Sequence, residues 1–311
     1  MRVAVIDLGT NTFNLLIADF RDNSFVVLHS DEVPARLGEG GILKKVLTPE
    51  AMERGMKVLN QFRDEIKTHN VEKTLAFGTS ALRNAQNARE FIERVKAETG
   101  IPVVKISGEE EAELIFEGVR TGIPLSDEPP DLIMDIGGGS VEFIICNKEV
   151  LLWKHSFDLG AGNLIEQFPL PDPVSPEYAE KLESFLDENL GPLWEALKKH
   201  KPHRLIGSAG SFESLAAMCH PEFFAGREAA THYEFDVFSF ETIYQILINS
   251  SAANRERVPG LPHFRVNMIV PASILINRVM SRGGLNRLFM TTFSMREGMV
   301  GVAAKTGAEL R

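Results

Sequence analysis

The sequence has very little cysteine. Only Cys146 and Cys219 occur among its 311 residues, far apart and with no Cys-x-x-Cys pair. Neither a disulfide framework nor a zinc site built on cysteine is therefore indicated, because both need a set of suitably spaced thiols. A reducing cytoplasm is the simplest explanation, and we expect a cytoplasmic protein.

Long apolar runs are also absent. Met1 and Arg2 are followed by only six largely apolar positions before Gly9, which is too short for the apolar part of a signal peptide. No uninterrupted apolar run approaches the roughly 20 residues of a membrane-spanning helix. We therefore expect no association with a membrane.

Positive charge is in deficit. The 33 Lys and Arg residues are outnumbered by 43 Asp and Glu residues, which gives a formal net charge of −10. This balance argues against a nucleic-acid binder with a broad basic face, because such a face requires clustered Lys and Arg. A smaller phosphate ligand stays compatible with it, since backbone N–H groups and a few arginines in a pocket outweigh distant charge.

The length suggests two domains at about 150 residues per domain. The proline-rich segment 124–130 breaks all periodicity, so we place the domain boundary there. The first domain is then 1–125 and the second 126–311, with a final helix at about 296–311 that packs back on the first.

One pattern occurs twice along the chain. The apolar run 3–6 ends in Asp7 and a polar, glycine-containing turn, after which a second apolar strand begins. The run 132–134 leads in the same way to Asp135 and the turn 137–140, and the two aspartates lie 128 positions apart. A strand, an aspartate, a glycine turn and a strand at the head of each half predict two related α/β domains.

Helix start signals lie between the predicted strands. An N-cap residue followed by Pro, or a Ser with Glu three positions later, is typical of a helix N-terminus. These signals are Thr48 with Pro49, Ser107 with Glu110, and Ser175 with Pro176. Phe235, Val237 and Phe238 instead indicate packing in a strand.

The two glycine turns are the main evidence for function. Consecutive glycines let the backbone approach a ligand closely, and their N–H groups, with Ser or Thr hydroxyls, can converge on phosphate oxygens. An aspartate at the strand end supplies a carboxylate for Mg²⁺, which bridges to phosphate. Ordinary glycine hairpins are the alternative. The candidate phosphate ligands are Gly9, Thr10, Asn11 and Thr12 in one turn, and Gly137, Gly138, Gly139 and Ser140 in the other.

A third glycine turn, 207–211, opens a helix. Gly207, Gly210 and Ser211 are its candidate anion ligands, because the free N–H groups and the dipole of a helix N-terminus attract anions. A role of Ser211 as an N-cap alone is the alternative.

A P-loop is excluded because the chain contains no Gly-Lys pair. A Rossmann fingerprint is excluded because the first two turns lead into strands, not helices.

Acidic residues provide the catalytic candidates. Glu109, Glu110 and Glu111 begin the helix after Ser107, where negative charge also simply complements the helix dipole. Glu142 lies in an otherwise apolar strand, where a carboxylate is costly without a metal or a hydrogen-bonding partner. An exposed strand face is the alternative for Glu142.

Several segments together resemble the exopolyphosphatase/guanosine pentaphosphate phosphohydrolase (Ppx/GppA phosphatase) family, in family order and over nearly the whole chain. They are 7–12, 36–40, 79–83 with Asn87, 107–112, 135–140 with Glu142, and 296–298. The resemblance implies an α/β fold of two ribonuclease-H-like domains, as in the actin-like superfamily of acetate and sugar kinases, Hsp70 and actin, with the active site in an interdomain cleft. It corresponds to the short, two-domain form of the family.

The resemblance also implies an activity: metal-dependent release of terminal phosphate from inorganic polyphosphate, guanosine pentaphosphate or both. Glu111 matches the proposed general base, Arg83 matches a phosphate-contacting arginine, and Asp135 and Glu142 match the carboxylates associated with the metal, Mg²⁺ or Mn²⁺. Glu111, Glu142 and Arg83 are thus the catalytic candidates. Asp7 is a further metal candidate, and Arg36 in the segment 36–40 is a further phosphate candidate.

Three positions depart from the family pattern. Relatives usually have Arg where this chain has Asn14, Glu113 and Asn163. Since a long polyphosphate is a dense polyanion, each lost cation favours a shorter phosphate ligand.

Two other functions stay open at this point. A small-molecule kinase of the same fold would use the third turn for a nucleotide, although it would usually lack the carboxylate pair. A non-catalytic sensor would bind guanosine tetraphosphate or pentaphosphate in the same site and act through a partner. The sequence does not determine the oligomeric state, although enzymes of this size with an active-site cleft often dimerise and the apolar C-terminal helices could supply the surface of a homodimer.

Overall fold

The computed structural model describes residues 1–21, 24–221 and 231–305. The chain divides into two compact units. Unit 1 comprises Met1–Gly118, Gly137–Gly139 and Ser294–Arg311, and unit 2 comprises Val119–Ile136 and Ser140–Phe293. Within the described residues, no helix is both long enough and apolar enough to cross a membrane.

Both units combine strands with helices. The strands are β1 Arg2–Leu8, β2 Thr12–Arg21, β3 Ser24–Pro34, β4 Lys73–Gly78, β5 Val103–Lys105, β6 Asp131–Ile136, β7 Val141–Cys146, β8 Leu151–Phe157, β9 Leu205–Ser208, β10 His232–Glu234 and β11 Leu288–Thr291. The helices are α1 Pro49–Thr68, α2 Ser80–Asn84, α3 Ala88–Thr99, α4 Gly108–Gly122, α5 Ala161–Gln167, α6 Pro176–Asn189, α7 Gly191–His200, α8 Gly210–Cys219, α9 Val237–Ile248, α10 Ala252–Arg255, α11 Ile269–Gly283 and α12 Met295–Lys305, with a 3-10 turn at His263–Arg265.

The two sheets repeat one topology. The sheet of unit 1 has the order β3-β2-β1-β4-β5, with β1 antiparallel to β2 and parallel to β4. The sheet of unit 2 has the order β10-β11-β9-β6-β7-β8, with β6 antiparallel to β7 and parallel to β9. Read from its other edge and without β10, the second sheet has the order β8-β7-β6-β9-β11, which repeats the order of the first sheet. The predicted duplication and the predicted α/β class are confirmed.

Each unit has its own apolar core. In unit 1, Phe13 of β2 packs with Phe62 of α1 and Phe91 of α3, and all three are fully buried. In unit 2, Phe143 of β7 and Phe212 of α8 belong to a separate buried cluster. Helices therefore cover both sheets through apolar faces, as α/β proteins require.

The predicted helix start signals at Thr48 and Ser107 form N-terminal caps in the structure. The Thr48 hydroxyl accepts a hydrogen bond from the N–H of Ala51 at 3.2 Å, which caps α1. At α4, the N–H of Ser107 donates to Glu110 Oε2 at 2.7 Å, and the N–H of Glu110 donates to the Ser107 hydroxyl at 3.2 Å. This reciprocal pair is the capping box that the sequence predicts.

The prediction of strand packing at Val237 and Phe238 is wrong. Both residues lie in the first turn of α9, and the Phe238 ring is 79% exposed. Asp236 caps this helix by accepting a hydrogen bond from the N–H of Ser239 at 2.9 Å. The cap therefore outweighs the β propensity of the aromatic segment.

A buried ion pair fixes the start of β6. Asp131 is fully buried, and its two oxygens accept from Arg204 Nε at 2.7 Å and from Arg204 Nη2 at 3.0 Å. Replacing Asp131 by Asn leaves a largely buried guanidinium without its counter-charge, so we expect a loss of about 3 kcal/mol in the free energy of unfolding. Urea denaturation measures this loss. The matched change Asp127→Asn, at an exposed position, should alter stability little.

Candidate functional site

The predicted base and the predicted arginine lie in contact in unit 1. Glu111 is in the first turn of α4, and Arg83 is in the last turn of α2. Arg83 Nη1 donates to Glu111 Oε2 at 2.8 Å and to the carbonyl oxygen of Ile106 at 3.3 Å. The two side chains are only 19% and 11% exposed. This charge-assisted bond holds the carboxylate in one orientation, and a general base needs such positioning.

The two predicted phosphate turns come together in unit 1. The segment Gly137–Gly139 belongs to this unit, although the strands on either side of it belong to unit 2. A Cβ on Gly138 would lie 2.5 Å from the Asn11 side-chain nitrogen, and a Cβ on Gly139 would lie 2.5 Å from both the Thr10 and the Ser80 hydroxyl oxygens. Only glycine fits this close approach, so the sequence places one glycine turn directly against the other.

Among the described residues, one hydroxyl where the two turns meet has no hydrogen-bond partner. Thr10 is 3% exposed, and its Oγ1 makes no hydrogen bond to any described residue. A buried hydroxyl without a partner costs about 1–3 kcal/mol, and a phosphate oxygen at this position would remove that cost. Ser80 is also 3% exposed and faces the same glycine. The sequence alone does not single out Ser80 as a site residue, although it lies in the matching segment 79–83, two positions after the end of β4.

The segment with Arg36 supports the first turn through its backbone. The N–H of Arg36 donates to the Asn11 carbonyl at 2.7 Å, and the N–H of Gly38 donates to the Thr10 carbonyl at 3.0 Å. The Arg36 side chain is 55% exposed and lies 3.8 Å from Glu39. The structure therefore gives this segment a backbone role and leaves the guanidinium accessible to a ligand.

Asp7 lies at the end of β1, opposite Asn14 on β2. The Asn14 side-chain amide donates to Asp7 Oδ2 at 3.2 Å. A neutral amide therefore contacts the carboxylate where relatives usually place an arginine. Of the other two departures, Asn163 donates to the Asp158 carbonyl at 3.0 Å, and Glu113 is exposed.

The predicted metal carboxylates lie opposite each other in unit 2. Asp135 on β6 pairs in register with Glu142 on β7, so the two side chains point to the same face of the sheet. They are 8% and 1% exposed, which excludes an exposed strand face for Glu142. Ser208 donates to Asp135 at 2.5 Å, and Ser156 donates to Glu142 at 2.7 Å.

This pair fits a hard divalent cation. Two buried carboxylates on directly opposed positions repel each other unless positive charge lies between them. Their oxygens are the ligand type that Mg²⁺ and Mn²⁺ prefer. The serine hydroxyls orient the carboxylates by hydrogen bonding, which is the usual support of a metal ligand.

The third glycine turn contains a strained residue and an unpredicted cation. Ala209 is the N-cap of α8 with φ +66°, a conformation that L residues adopt at a cost of about 1–3 kcal/mol and mostly at functional sites. Ser211 is 8% exposed within the first turn of this helix, so the alternative that it is only an N-cap is wrong. A Cβ on Gly207 would overlap the Phe212 ring, and one on Gly210 would overlap the Arg265 guanidinium.

Arg265 is therefore a candidate that the sequence alone does not reveal. It lies 54 to 58 positions beyond the turn residues in no matching segment, yet its guanidinium reaches Gly210 at the N-terminus of α8. A guanidinium beside helix N–H groups is suited to an anionic ligand.

Comparisons with known proteins identify the family. The model of the Ppx/GppA phosphatase family matches residues 16–305. Exopolyphosphatase 1 of Mycobacterium tuberculosis is 26% identical over 304 residues, which is 96% of this chain and 87% of that protein. The bifunctional 3-dehydroquinate synthase/phosphatase of Fusobacterium nucleatum is 30% identical over 90% of this chain, which spans only 43% of that protein.

A solved structure agrees with this result. The crystal structure of an exopolyphosphatase from Cytophaga hutchinsonii is similar with a TM-score of 0.92 and 38% sequence identity, over 96% of each chain. The family match covers most of the chain, and the similar fold includes both sheets. The chain belongs to the Ppx/GppA phosphatase family.

Proposed function

We propose that this protein is a divalent-metal-dependent phosphoanhydride hydrolase that releases terminal phosphate from inorganic polyphosphate or guanosine pentaphosphate. The observation that carries the proposal is the packing of the turn 137–139 against Thr10, Asn11 and Ser80. Two glycine turns meet there, together with a buried hydroxyl that has no hydrogen-bond partner among the described residues. Such a cradle suits tetrahedral phosphate. Polyphosphate is supported as the substrate because several relatives are named exopolyphosphatase.

In the proposed reaction, Glu111 orients a water molecule and accepts its proton as the water attacks the terminal phosphorus in line. Arg83 fixes Glu111 and adds positive charge near the transferred phosphoryl group. The glycine turns hold the phosphate oxygens, which supplies the positioning on which phosphoryl transfer mainly depends.

Asp135 and Glu142 would hold the metal, and Asp7 is a further candidate ligand. A bound Mg²⁺ or Mn²⁺ neutralises negative charge on phosphate oxygens. The chain's own contribution is to orient its carboxylates, through Ser208 at Asp135 and Ser156 at Glu142.

A short substrate is favoured within this class. Asn14 contacts Asp7 through a neutral amide, and Asn163 contacts a backbone carbonyl, so neither supplies the positive charge usual at these positions. The loss of two cations and the presence of Glu113 weaken attraction to a long polyanion more than to a short one. The kinase and sensor alternatives are less favoured, because the relatives reported above carry phosphatase names.

A phosphate-release panel tests the proposal. Purified protein is assayed with short and long polyphosphate, guanosine pentaphosphate and ATP, each with Mg²⁺, Mn²⁺ or a chelator. We expect release that requires a divalent metal, with kcat/KM higher for short than for long polyphosphate. Tight binding of guanosine pentaphosphate without release from any substrate would instead establish the sensor, and ATP-dependent labelling of a metabolite would establish the kinase.

The homodimer, the division into domains 1–125 and 126–311, and the cytoplasmic location remain predictions. Analytical ultracentrifugation across a range of protein concentrations decides the first of them.

A further inference from the structure

Two histidines and a glutamate form a cluster in unit 1 outside the residues discussed so far. His29 lies on the edge strand β3, Glu65 lies near the end of α1, and His69 directly follows α1 as its C-cap. One potential ligand atom from each of the three lies within 4.8 Å of the other two. The two imidazole ring centroids are 5.1 Å apart.

Each imidazole has one nitrogen engaged by an oxygen acceptor. His69 Nδ1 lies 2.9 Å from the Glu65 carbonyl oxygen, and His29 Nε2 lies 3.3 Å from Asp31 Oδ2. A backbone carbonyl only accepts, so Nδ1 is the donor in this contact and Nε2 is the His69 nitrogen left for a metal. The Asp31 carboxylate favours the opposite tautomer at His29. Metal-binding histidines typically show this arrangement, in which an oxygen acceptor fixes the ring and the tautomer.

The backbone around the cluster is held in place. Arg2 Nη1 donates to the His69 carbonyl at 2.8 Å, which ties the end of α1 to β1. In β3, the register changes between Ile17 paired with His29 and Ala18 paired with Val27, so a β-bulge directly precedes His29. A bulge re-aims the side chains of its strand and often occurs next to a functional site.

The cluster is accessible as well as ordered. His29 and His69 are each 26% exposed, and the Glu65 side chain is 41% exposed. A metal ion can therefore enter from solvent, while the histidines keep enough packing to stay oriented. The Glu65 and Asp31 carboxylates balance the charge of a divalent ion.

We propose that His29, Glu65 and His69 bind a first-row transition metal, with Zn²⁺ as the type, at a site distinct from the Asp135 and Glu142 carboxylates. Two imidazoles and one carboxylate are a known zinc donor set, with water as the fourth ligand. Tetrahedral zinc with bonds of about 2.0–2.1 Å places donor atoms roughly 3.4 Å apart, so donor atoms that now lie within 4.8 Å of one another would have to move closer by up to about 1.4 Å. The ion would join the edge strand β3 to the end of α1 and stabilise unit 1.

Zinc titration in the presence of saturating Mg²⁺ tests this site on the full chain. Mg²⁺ fills oxygen-rich sites and competes poorly for imidazole. We expect one Zn²⁺ per chain in the parent protein. The double variant His29→Ala with His69→Ala should lose at least about 100-fold in Zn²⁺ affinity, and Asp31→Asn should lose about 10- to 100-fold.

Two controls separate this site from other parts of the chain. His263→Ala removes a histidine that is 84% exposed, and it should leave the Zn²⁺ affinity unchanged. Glu142→Gln alters the proposed magnesium site and should also retain Zn²⁺ binding. Phosphate release by His29→Ala at saturating Mg²⁺ should equal that of the parent, so the outcome for zinc is independent of the outcome for the proposed reaction.

An anomalous diffraction map at the zinc edge gives the direct answer, even where a variant folds poorly. A peak between His29, Glu65 and His69 in the parent protein supports the proposal. A peak elsewhere only, no peak, or equal Zn²⁺ affinity in the folded double variant overturns it.

Discussion

Replacing Glu111 by Gln is expected to lower kcat for phosphate release by about 10²- to 10⁴-fold, the usual contribution of a general base. The amide has nearly the same size and can still accept the hydrogen bond from Arg83 Nη1, so the side chain keeps its place. It cannot take a proton from water, and KM should therefore change much less than kcat. Steady-state kinetics with a short polyphosphate at saturating Mg²⁺ measure both constants.

Glu109→Gln is the matched control for this prediction. Glu109 lies in the same first turn of α4 and is exposed, so this variant makes the same chemical change with the same effect on the helix dipole. It should retain the parent rate. If Glu111→Gln also retained that rate, the carboxylate would have only its structural role at the helix N-terminus, and the assignment as base would be wrong.

Much of the fold could be predicted because its signals are local. The cap at Thr48 and the reciprocal pair of Ser107 and Glu110 involve residues within one turn, where sequence spacing alone fixes the geometry. The duplicated aspartate and glycine turns predicted two related halves, and the repeated sheet order confirms this. The edge strand β3 gave no comparable signal, because much of its length is exposed and its apolar residues do not alternate regularly.

The candidate site could be predicted only in part, for a physical reason. Glycine turns can be recognised in the sequence, whereas the residues that pack against a turn are determined by tertiary structure. Ser80 beside Gly139 and Arg265 beside Gly210 are such partners, and no spacing rule connects them. The cluster of His29 with His69 likewise depends on how β3 meets the end of α1. The register of β6 against β7 was needed to show that Glu142 faces the same side as Asp135.

Replacing Glu142 by Gln is expected to raise the Mg²⁺ concentration for half-maximal phosphate release by at least about tenfold, because even changes to residues that support a ligand cost 10- to 100-fold in metal affinity. Glu142 is 1% exposed and held by Ser156, so the amide should stay in place without the charge. A titration of activity with Mg²⁺ measures the shift. The exposed change Glu149→Gln, in the turn after β7, should cause none.

The same variant, Glu142→Gln, should be more stable than the parent when no metal is present. Asp135 and Glu142 face each other across adjacent strands, so removal of one charge relieves their repulsion and should raise the free energy of unfolding by up to about 1 kcal/mol. Added Mg²⁺ stabilises the parent through binding to the folded state, and the variant should lose most of that gain. Thermal unfolding with and without Mg²⁺ measures both effects. A variant that is less stable without metal and equally stabilised by Mg²⁺ would show that Glu142 has only a structural role, and the metal would then have to lie on other carboxylates.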